Sequence, residues 1–351
     1  MKTRSPMLLP AVAITAFYAL NLTGGLALAQ ATTDPVGFID LSVSGPATAG
    51  AYTLSLISPT LTQPILWQGA ITVISGTTIT VGNAPWSANQ FNGAAGSHYV
   101  EIVSTATPAN SGTLSDITGT TASTITTNDN LSTRAAVGDT IKIRKDVTIA
   151  DLLGATNSAG LLSSAGDATT ADEVLIYSGA SSTSYFYYTG PGLPAGWYNS
   201  TTFDSAGGIA IAPSEAVVIK RKAVGNVTIS FSGSVKTGNT LIPIVNGLNV
   251  LGTASAKGLT LATSGLYTGN NATGVMPSSA DATTADEIIL YSGTSQTSYF
   301  YYTGPGLPAG WYNSTSFDSA DNIAIVPGTA FVLRRKGGAP FNWALPSPTS
   351  F

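Results

Sequence analysis

The sequence predicts an all-β protein made of two tandem sandwich-like domains that are related by internal duplication. The first of them carries an inserted small β-barrel or sandwich module. The main observation is a repeat: Asp167–Lys222 returns at Asp281–Lys336 with an offset of 114 residues, no gap, and 42 of 56 positions identical. A second observation is the alternation of apolar and polar residues with period 2, as in Ala51–Ile57. Gly, Asn, Asp and Ser separate such runs, which is typical of short strands joined by turns.

Within the repeat, Glu173–Tyr177 and Ser184–Tyr188 are rich in β-branched and aromatic residues and are predicted strands. The Gly- and Pro-rich connection 190–196 cannot continue a strand or a helix. Trp197 restarts an extended segment, and Ala216–Arg221 closes the unit. We therefore expect an antiparallel meander whose aromatic residues fill one face.

Weaker likenesses indicate that the duplicated unit is longer than 56 residues. The strand-like runs Val36–Gly45 and Ala51–Ile57 resemble Val227–Gly233 and Asn239–Ile244. A fainter match relates 147–153 to 259–266. The sequence allows a strand, a short helix or an irregular loop for these segments. The predicted boundaries are a first copy at 33–64 plus 146–222, an inserted β-module at 65–145, a second copy at 225–337 and a Pro-rich tail at 338–351.

The first residues are typical of an export signal. Lys2 and Arg4 precede the mostly apolar Met7–Leu22, and Ala27-Leu28-Ala29 matches an A-x-A cleavage site. We expect a cleaved signal peptide at 1–29 and a mature protein in the periplasm, at the cell surface or outside the cell. No later run approaches eighteen apolar residues, so no transmembrane helix is expected in the mature chain.

Composition excludes several function classes. Only 9% of the 351 residues are charged and the net charge is −4, which offers no footprint for nucleic acid. The chain has no cysteine, so disulfides and thiolate metal sites do not arise. A surface of hydroxyl groups in place of charges is typical of an extracellular β-protein.

Three short motifs resemble a known family. They are Asp34–Phe38 straight after the predicted signal peptide, the Gly-Trp-Tyr steps at 196–198 and 310–312, and the closing pattern from Ile325 to Arg335. Together they resemble an exported family that is described mainly from verrucomicrobial bacteria and has no assigned function. The resemblance implies a secreted β-protein and supplies no catalytic residues.

Nucleophilic hydrolysis is not expected. It needs a base beside the nucleophile, and the only histidine is His98, within the predicted insert. No G-x-S-x-G motif occurs. The sequence predicts no enzyme, no cofactor and no metal site.

Two sets of charged residues are duplicated and need an interpretation. Asp167, Asp172, Glu173 and Asp204 recur as Asp281, Asp286, Glu287 and Asp318. We interpret them as turn residues that lead into strands; a calcium loop and paired carboxylates for glycoside hydrolysis are the alternatives. The basic triplets 220–222 and 334–336 are predicted to be solvated strand ends that discourage edge pairing, with contact to an anionic polymer as the alternative.

The duplicated aromatic residues are interpreted first as rings that join the two sheets or adjoining domains, and they are also the candidate ligand-binding residues, for a glycan or a protein partner. They are Tyr185, Tyr187, Trp197, Tyr198, Tyr299, Tyr301, Trp311 and Tyr312. Neighbours on a strand point to opposite faces, so one pair is expected in the core and the other nearer solvent. The sequence favours a non-enzymatic cell-surface or extracellular structural or interaction protein that self-associates. The alternative is a glycan-binding module that contacts surface polysaccharide through these rings.

Overall fold

The computed structural model describes residues 34–92, 97–179, 181–293 and 295–347. Within these ranges the chain forms 25 β-strands, one five-residue α-helix and two 3-10 helices, Pro108–Asn110 and Ala168–Thr170. The prediction of an all-β protein is confirmed. The predicted signal peptide at 1–29 lies outside the described residues. In the described part of the chain, no helix has the length and apolar character needed to cross a bilayer.

The insert interrupts the first copy, and the second copy follows the end of the first. The first copy opens with β1 (Val36–Val43) and β2 (Thr53–Ile57). The insert contains β3 (Ile65–Ala70), β4 (Val73–Ser75), β5 (Thr78–Thr80), β6 (His98–Ser104), β7 (Leu114–Thr120), β8 (Thr124–Thr127) and β9 (Thr140–Lys145). The first copy resumes with β10 (Val147–Thr148), α1 (Ile149–Leu153), β11 (Glu173–Ser178), β12 (Ser181–Tyr188), β13 (Gly196–Asn199), β14 (Ala210–Ile211), β15 (Val217–Arg221) and β16 (Val227–Ser234). The second copy contains β17 (Thr240–Ile244), β18 (Gly247–Gly252), β19 (Leu259–Thr260), β20 (Glu287–Ser292), β21 (Ser295–Tyr302), β22 (Gly310–Asn313), β23 (Ala324–Ile325), β24 (Ala330–Arg335) and β25 (Phe341–Leu345).

The two copies have the same strand topology. Five strands of the first copy form one sheet in the order β13-β12-β11-β15-β2, and the second copy repeats it as β22-β21-β20-β24-β18. The two-stranded sheets β1-β16 and β10-β14 likewise have counterparts in β17-β25 and β19-β23. This agreement supports the predicted duplication, since every described strand of the second copy has a partner in the first.

The pairing of β16 and β25 moves two predicted boundaries. The predicted boundaries place Val227–Gly233 at the start of the second copy, but β16 pairs with β1 along its whole length, from Val36↔Ser234 to Val43↔Val227. The predicted Pro-rich tail contains β25, which pairs with β17. β16 and β25 keep the 114-residue offset of the strong repeat although their sequences differ, and each closes its own copy.

Each copy has two layers around an apolar core. In the first copy, the ribbon β1-β16 contributes Leu41 and Phe231, and the five-stranded sheet contributes Val174 and Ile219. The second copy repeats this arrangement, with Trp343 of β25 in the place of Ile229 of β16. Alternation along each strand directs one set of side chains into this core.

The opposite faces of the two five-stranded sheets meet each other. Val218 of the first sheet and Ile289 and Val332 of the second belong to one buried cluster between the copies. Two isolated bridges join the copies, Ile57↔Thr329 and Glu215↔Leu251. Thr329 follows Glu215 by the repeat offset, and Leu251 occupies in β18 the position of Ile57 in β2. The two bridges are therefore equivalent, and the contact between the copies is isologous.

The insert forms one seven-stranded sheet in the order β3-β9-β6-β7-β8-β5-β4 and has its own core. A buried ionic network ties it to both flanks. Arg144 of β9 pairs with Asp34 and Glu101, and Lys236, in the segment between the copies, pairs with Glu101. The Arg144 guanidinium also donates to the Gln63 carbonyl at 2.8 Å.

Candidate functional site

Seven of the eight candidate ligand-binding residues are buried. Each exposes at most 8% of its surface. They are Tyr185, Tyr187, Trp197, Tyr198, Tyr299, Trp311 and Tyr312. Tyr301 is the exception and is half-buried. A ring that stacks on a sugar must present a face to solvent, and among the eight only Tyr301 is partly exposed.

Both faces of the aromatic strand β12 are covered. Tyr185 and Tyr187 lie in the core of the first copy. Phe186 and Tyr188 point the other way but are equally buried, in a cluster that includes Ala171. The expectation that one pair lies nearer solvent is wrong here, because the segment that follows the 3-10 helix 168–170 packs over the second face.

The rings hold each copy together through directional contacts. Tyr187 and Trp197 meet edge to face with centroids 5.2 Å apart, and Tyr301 and Trp311 do so at 5.5 Å. Such pairs contribute about 0.5–1.5 kcal/mol beyond their area burial. The Gly190 backbone lies against the Tyr188 ring, where a Cβ would stand 2.3 Å from the phenol oxygen. Close approach of the loop to this ring therefore explains that glycine.

The duplicated carboxylate of the first copy is a buried structural group. Asp172 accepts from Arg221 Nη1 at 2.7 Å and from the Leu162 amide at 2.7 Å. Its other oxygen accepts from the Lys222 amide at 2.6 Å. The second copy repeats this, since Asp286 accepts from Arg335 Nη1 at 2.6 Å. Hydrogen-bond donors of the protein surround both carboxylates. Each carboxylate therefore joins a strand to a loop.

Each basic triplet is solvated only in part, and Arg334 and Lys336 of the second copy are exposed. Arg221 and Arg335 are buried. Lys220 and Lys222 both pair with Glu173, at 2.9 and 2.7 Å. Burial opposes ionisation of this glutamate, yet hydrogen bonds from Lys222, Lys220 and Ser184 hold its pKa below the ordinary value. All six basic residues of the two triplets thus form ion pairs with the duplicated carboxylates.

The turn interpretation of Asp167 and Asp281 is confirmed. Asp167 Oδ1 accepts from the Thr169 amide at 2.9 Å, and Asp281 Oδ1 accepts from the Thr283 amide at 2.8 Å. Each aspartate therefore caps the short turn that leads into its sheet. Across residues 34–92, 97–179, 181–293 and 295–347, no three carboxylate or imidazole groups are placed to hold one cation.

His98 lies at the start of β6 and packs against Phe91, with ring centroids 5.4 Å apart. Its Nδ1 is 3.1 Å from Ser97 Oγ. Burial and the nearby Lys145 lower the pKa of His98, so it is neutral at pH 7. No ion pair joins it to a carboxylate among the described residues, and a third group that would orient it as a base is absent from that part of the chain.

Sequence reasoning missed an acidic cluster where the insert joins the first copy. Asp146, between β9 and β10, is 1% exposed, and neither of its carboxylate oxygens has a hydrogen-bond partner. Burial, and then the negative charges of Asp116 and Glu215, raise the pKa of Asp146 to about 8. Burial also raises the pKa of Glu215 to about 7. Asp146 has no duplicate, so nothing in the repeat drew attention to it.

This cluster predicts that the protein loses stability in mildly alkaline solution. Both acids have a higher pKa in the folded chain, so they stabilise it while protonated and cease to do so as the pH rises through about 7 and 8. Between about pH 5 and pH 8.5, we expect the free energy of unfolding to fall by about 2–5 kcal/mol. Urea unfolding at a series of pH values measures this change.

Asp146→Asn cannot ionise and is expected to flatten the pH profile above pH 6. Asp204→Asn, at an exposed position in a turn, is the control and should leave the profile unchanged. A wild-type stability that rises over the same pH range would contradict the assignment.

The comparisons with known proteins add no relative. No protein-family model, no curated protein and no solved structure matches the chain.

Proposed function

We propose that the chain is an exported, non-enzymatic structural or interaction protein that acts at the cell surface or outside the cell by associating with further copies of itself. The observation that carries this proposal is the contact between the two copies within one chain. The sheet face with Val218 packs on the equivalent face with Val332, and the bridges on either side are equivalent. A fold that already pairs with itself isologously is suited to assembly.

The use of the duplicated polar residues supports a structural role. The carboxylates and basic residues that could have carried chemistry cap turns or form ion pairs, such as Asp286 with Arg335. Export rests on the signal peptide predicted at 1–29, and the resemblance to an exported family stays a prediction.

A surface for association lies on β1. Phe38 is 78% exposed, and Val36 on the same side of the strand is as open. Their cross-strand neighbours on β16 are Ser232 and Ser234. An aromatic and a branched residue at alternate positions of an exposed strand form a small apolar patch that a second copy can cover.

Light scattering coupled to size exclusion tests this proposal on the chain without residues 1–29. We expect oligomers whose size rises with protein concentration. Phe38→Ser should shift them toward monomer without a change in melting temperature. Val224→Ser, a control at an exposed apolar position in the turn between β15 and β16, should have no effect. A wild-type chain that stays monomeric at every concentration would contradict self-association.

The alternative function is glycan binding by the Tyr/Trp clusters. Of the eight candidate rings, only Tyr301 is partly exposed. Tyr301 borders a pocket in the second copy, and this pocket has a different composition from the predicted cluster.

A further inference from the structure

The second copy contains a pocket that the first copy lacks the residues to form. Its volume is about 200 Å³, and its polar and aromatic lining includes Tyr267, Tyr301, Trp311 and Asp321. The Tyr267 and Tyr301 rings are stacked, with centroids 3.5 Å apart and planes inclined by 15°. Leu261, which precedes Tyr267 in the sequence, forms part of the pocket wall.

Two differences between the copies open this pocket. Asp321 stands where the repeat has Gly207 in the first copy. In the first copy, the Trp197 indole N–H donates to the carbonyl of Gly154, which ends helix α1, at 2.8 Å. The second copy has a turn in place of that helix, and the indole N–H of Trp311 has no hydrogen-bond partner among the described residues.

Asp321 places a negative charge in the pocket. Its Oδ1 accepts from the Trp311 amide at 2.8 Å, which fixes the carboxylate beside the rings. Its Oδ2 makes no hydrogen bond and no ion pair within the described ranges, and no Lys or Arg lines the pocket. Burial, Tyr267 and Asp321 raise the pKa of Tyr301, so its phenol remains a hydrogen-bond donor. A carboxylate without a cation beside it favours a positively charged ligand.

We propose that this pocket binds an amino sugar: one hexose-sized ring whose protonated amine pairs with Asp321 and whose hydroxyl groups meet the Trp311 indole and the Tyr301 phenol. The Tyr301 phenol and the Trp311 indole N–H can hydrogen-bond to hydroxyl groups, and aromatic rings beside a carboxylate also attract a cation. A pocket of 200 Å³ is smaller than the sites of drug-sized ligands and fits one ring. This site does not depend on self-association and uses only Tyr301 and Trp311 of the predicted cluster.

The test uses the chain without residues 1–29 and three probes, D-glucosamine, N-acetyl-D-glucosamine and D-glucose, in calorimetric or NMR titrations at pH 6. For a small ligand with few contacts we expect glucosamine to bind with a Kd on the order of 1 mM. The two neutral sugars should bind at least about tenfold more weakly, because they cannot form the ion pair with Asp321.

Asp321→Asn separates charge from folding, since its amide oxygen can still accept from the Trp311 amide. It should weaken glucosamine binding about tenfold with no change in melting temperature. Asp321→Gly, which installs the residue of the first copy, should abolish binding. Tyr187→Phe is the matched control for Tyr301→Phe: the first should leave binding unchanged and the second should weaken it.

Three results would overturn the proposal. They are no binding of glucosamine, equal binding of the neutral sugars with no effect of Asp321→Asn, and binding of tetramethylammonium as tight as that of glucosamine. The last result would identify the pocket as a general cation site without recognition of hydroxyl groups.

Discussion

Arg335→Ala is expected to destabilise the protein by about 3–5 kcal/mol, because removal of one partner leaves a buried carboxylate without its counter-charge. Arg335 and Asp286 are both fully buried, and Arg335 Nη1 lies 2.6 Å from the carboxylate. The guanidinium also donates to the carbonyls of Gly274, Asn271 and Ala339, at 3.0, 2.7 and 2.8 Å. The substitution therefore orphans a charge and three acceptors at once.

The neighbouring Arg334 is a matched control. Its side chain is 49% exposed and pairs with Glu287 at 3.3 Å. Exposed ion pairs contribute at most about 1 kcal/mol, so Arg334→Ala should have a small effect. Urea unfolding of both variants measures the difference. Equal losses, or an Arg335→Ala variant as stable as the wild type, would contradict the structural role of the buried pair.

Much of the fold could be predicted because the repeat is nearly verbatim. Alternation and turn residues place β11, β12 and β15 and their counterparts, and the same strand order in both sheets supports the duplication. The limits of each copy could not be predicted in this way. β16 and β25 keep the repeat offset but share no obvious sequence, since any large apolar side chain, Ile229 or Trp343, fills the same core position.

Periodicity shows which side chains share a face but not what covers that face. Tyr188 is buried because Ala171 and its neighbours pack over β12, and a turn leaves no periodic signal. In the same way, the sequence pattern predicts that Arg221 is a solvated strand end, because its ion-pair partner Asp172 lies 49 residues earlier in the chain and cannot be identified from local sequence. The duplication of both residues at one offset was the available signal for this pair.

The pocket of the second copy depends on a difference between the repeats. Asp321 in place of Gly207 is visible in the aligned copies, but Tyr267 lies outside the strong repeat. Only the folded chain brings its ring onto Tyr301. Sequence comparison of the copies can therefore find the carboxylate but not the aromatic wall.

Tyr185, Tyr187 and Trp197 belong to the core of the first copy, and Trp197 tests this claim most sharply. The side chain is 2% exposed, meets Tyr187 edge to face, and donates through its indole to the Gly154 carbonyl. Truncation removes a large buried ring and leaves that carbonyl without its donor. Trp197→Ala should therefore cost about 3–5 kcal/mol.

The most direct measurement compares urea unfolding and retention on immobilised polysaccharide for the wild type, Trp197→Ala and Trp311→Ala. The account predicts that both variants unfold at much lower urea concentration than the wild type. A Trp197→Ala variant that unfolds like the wild type yet is no longer retained on polysaccharide would contradict it, because the first cluster would then be a ligand platform and not a core.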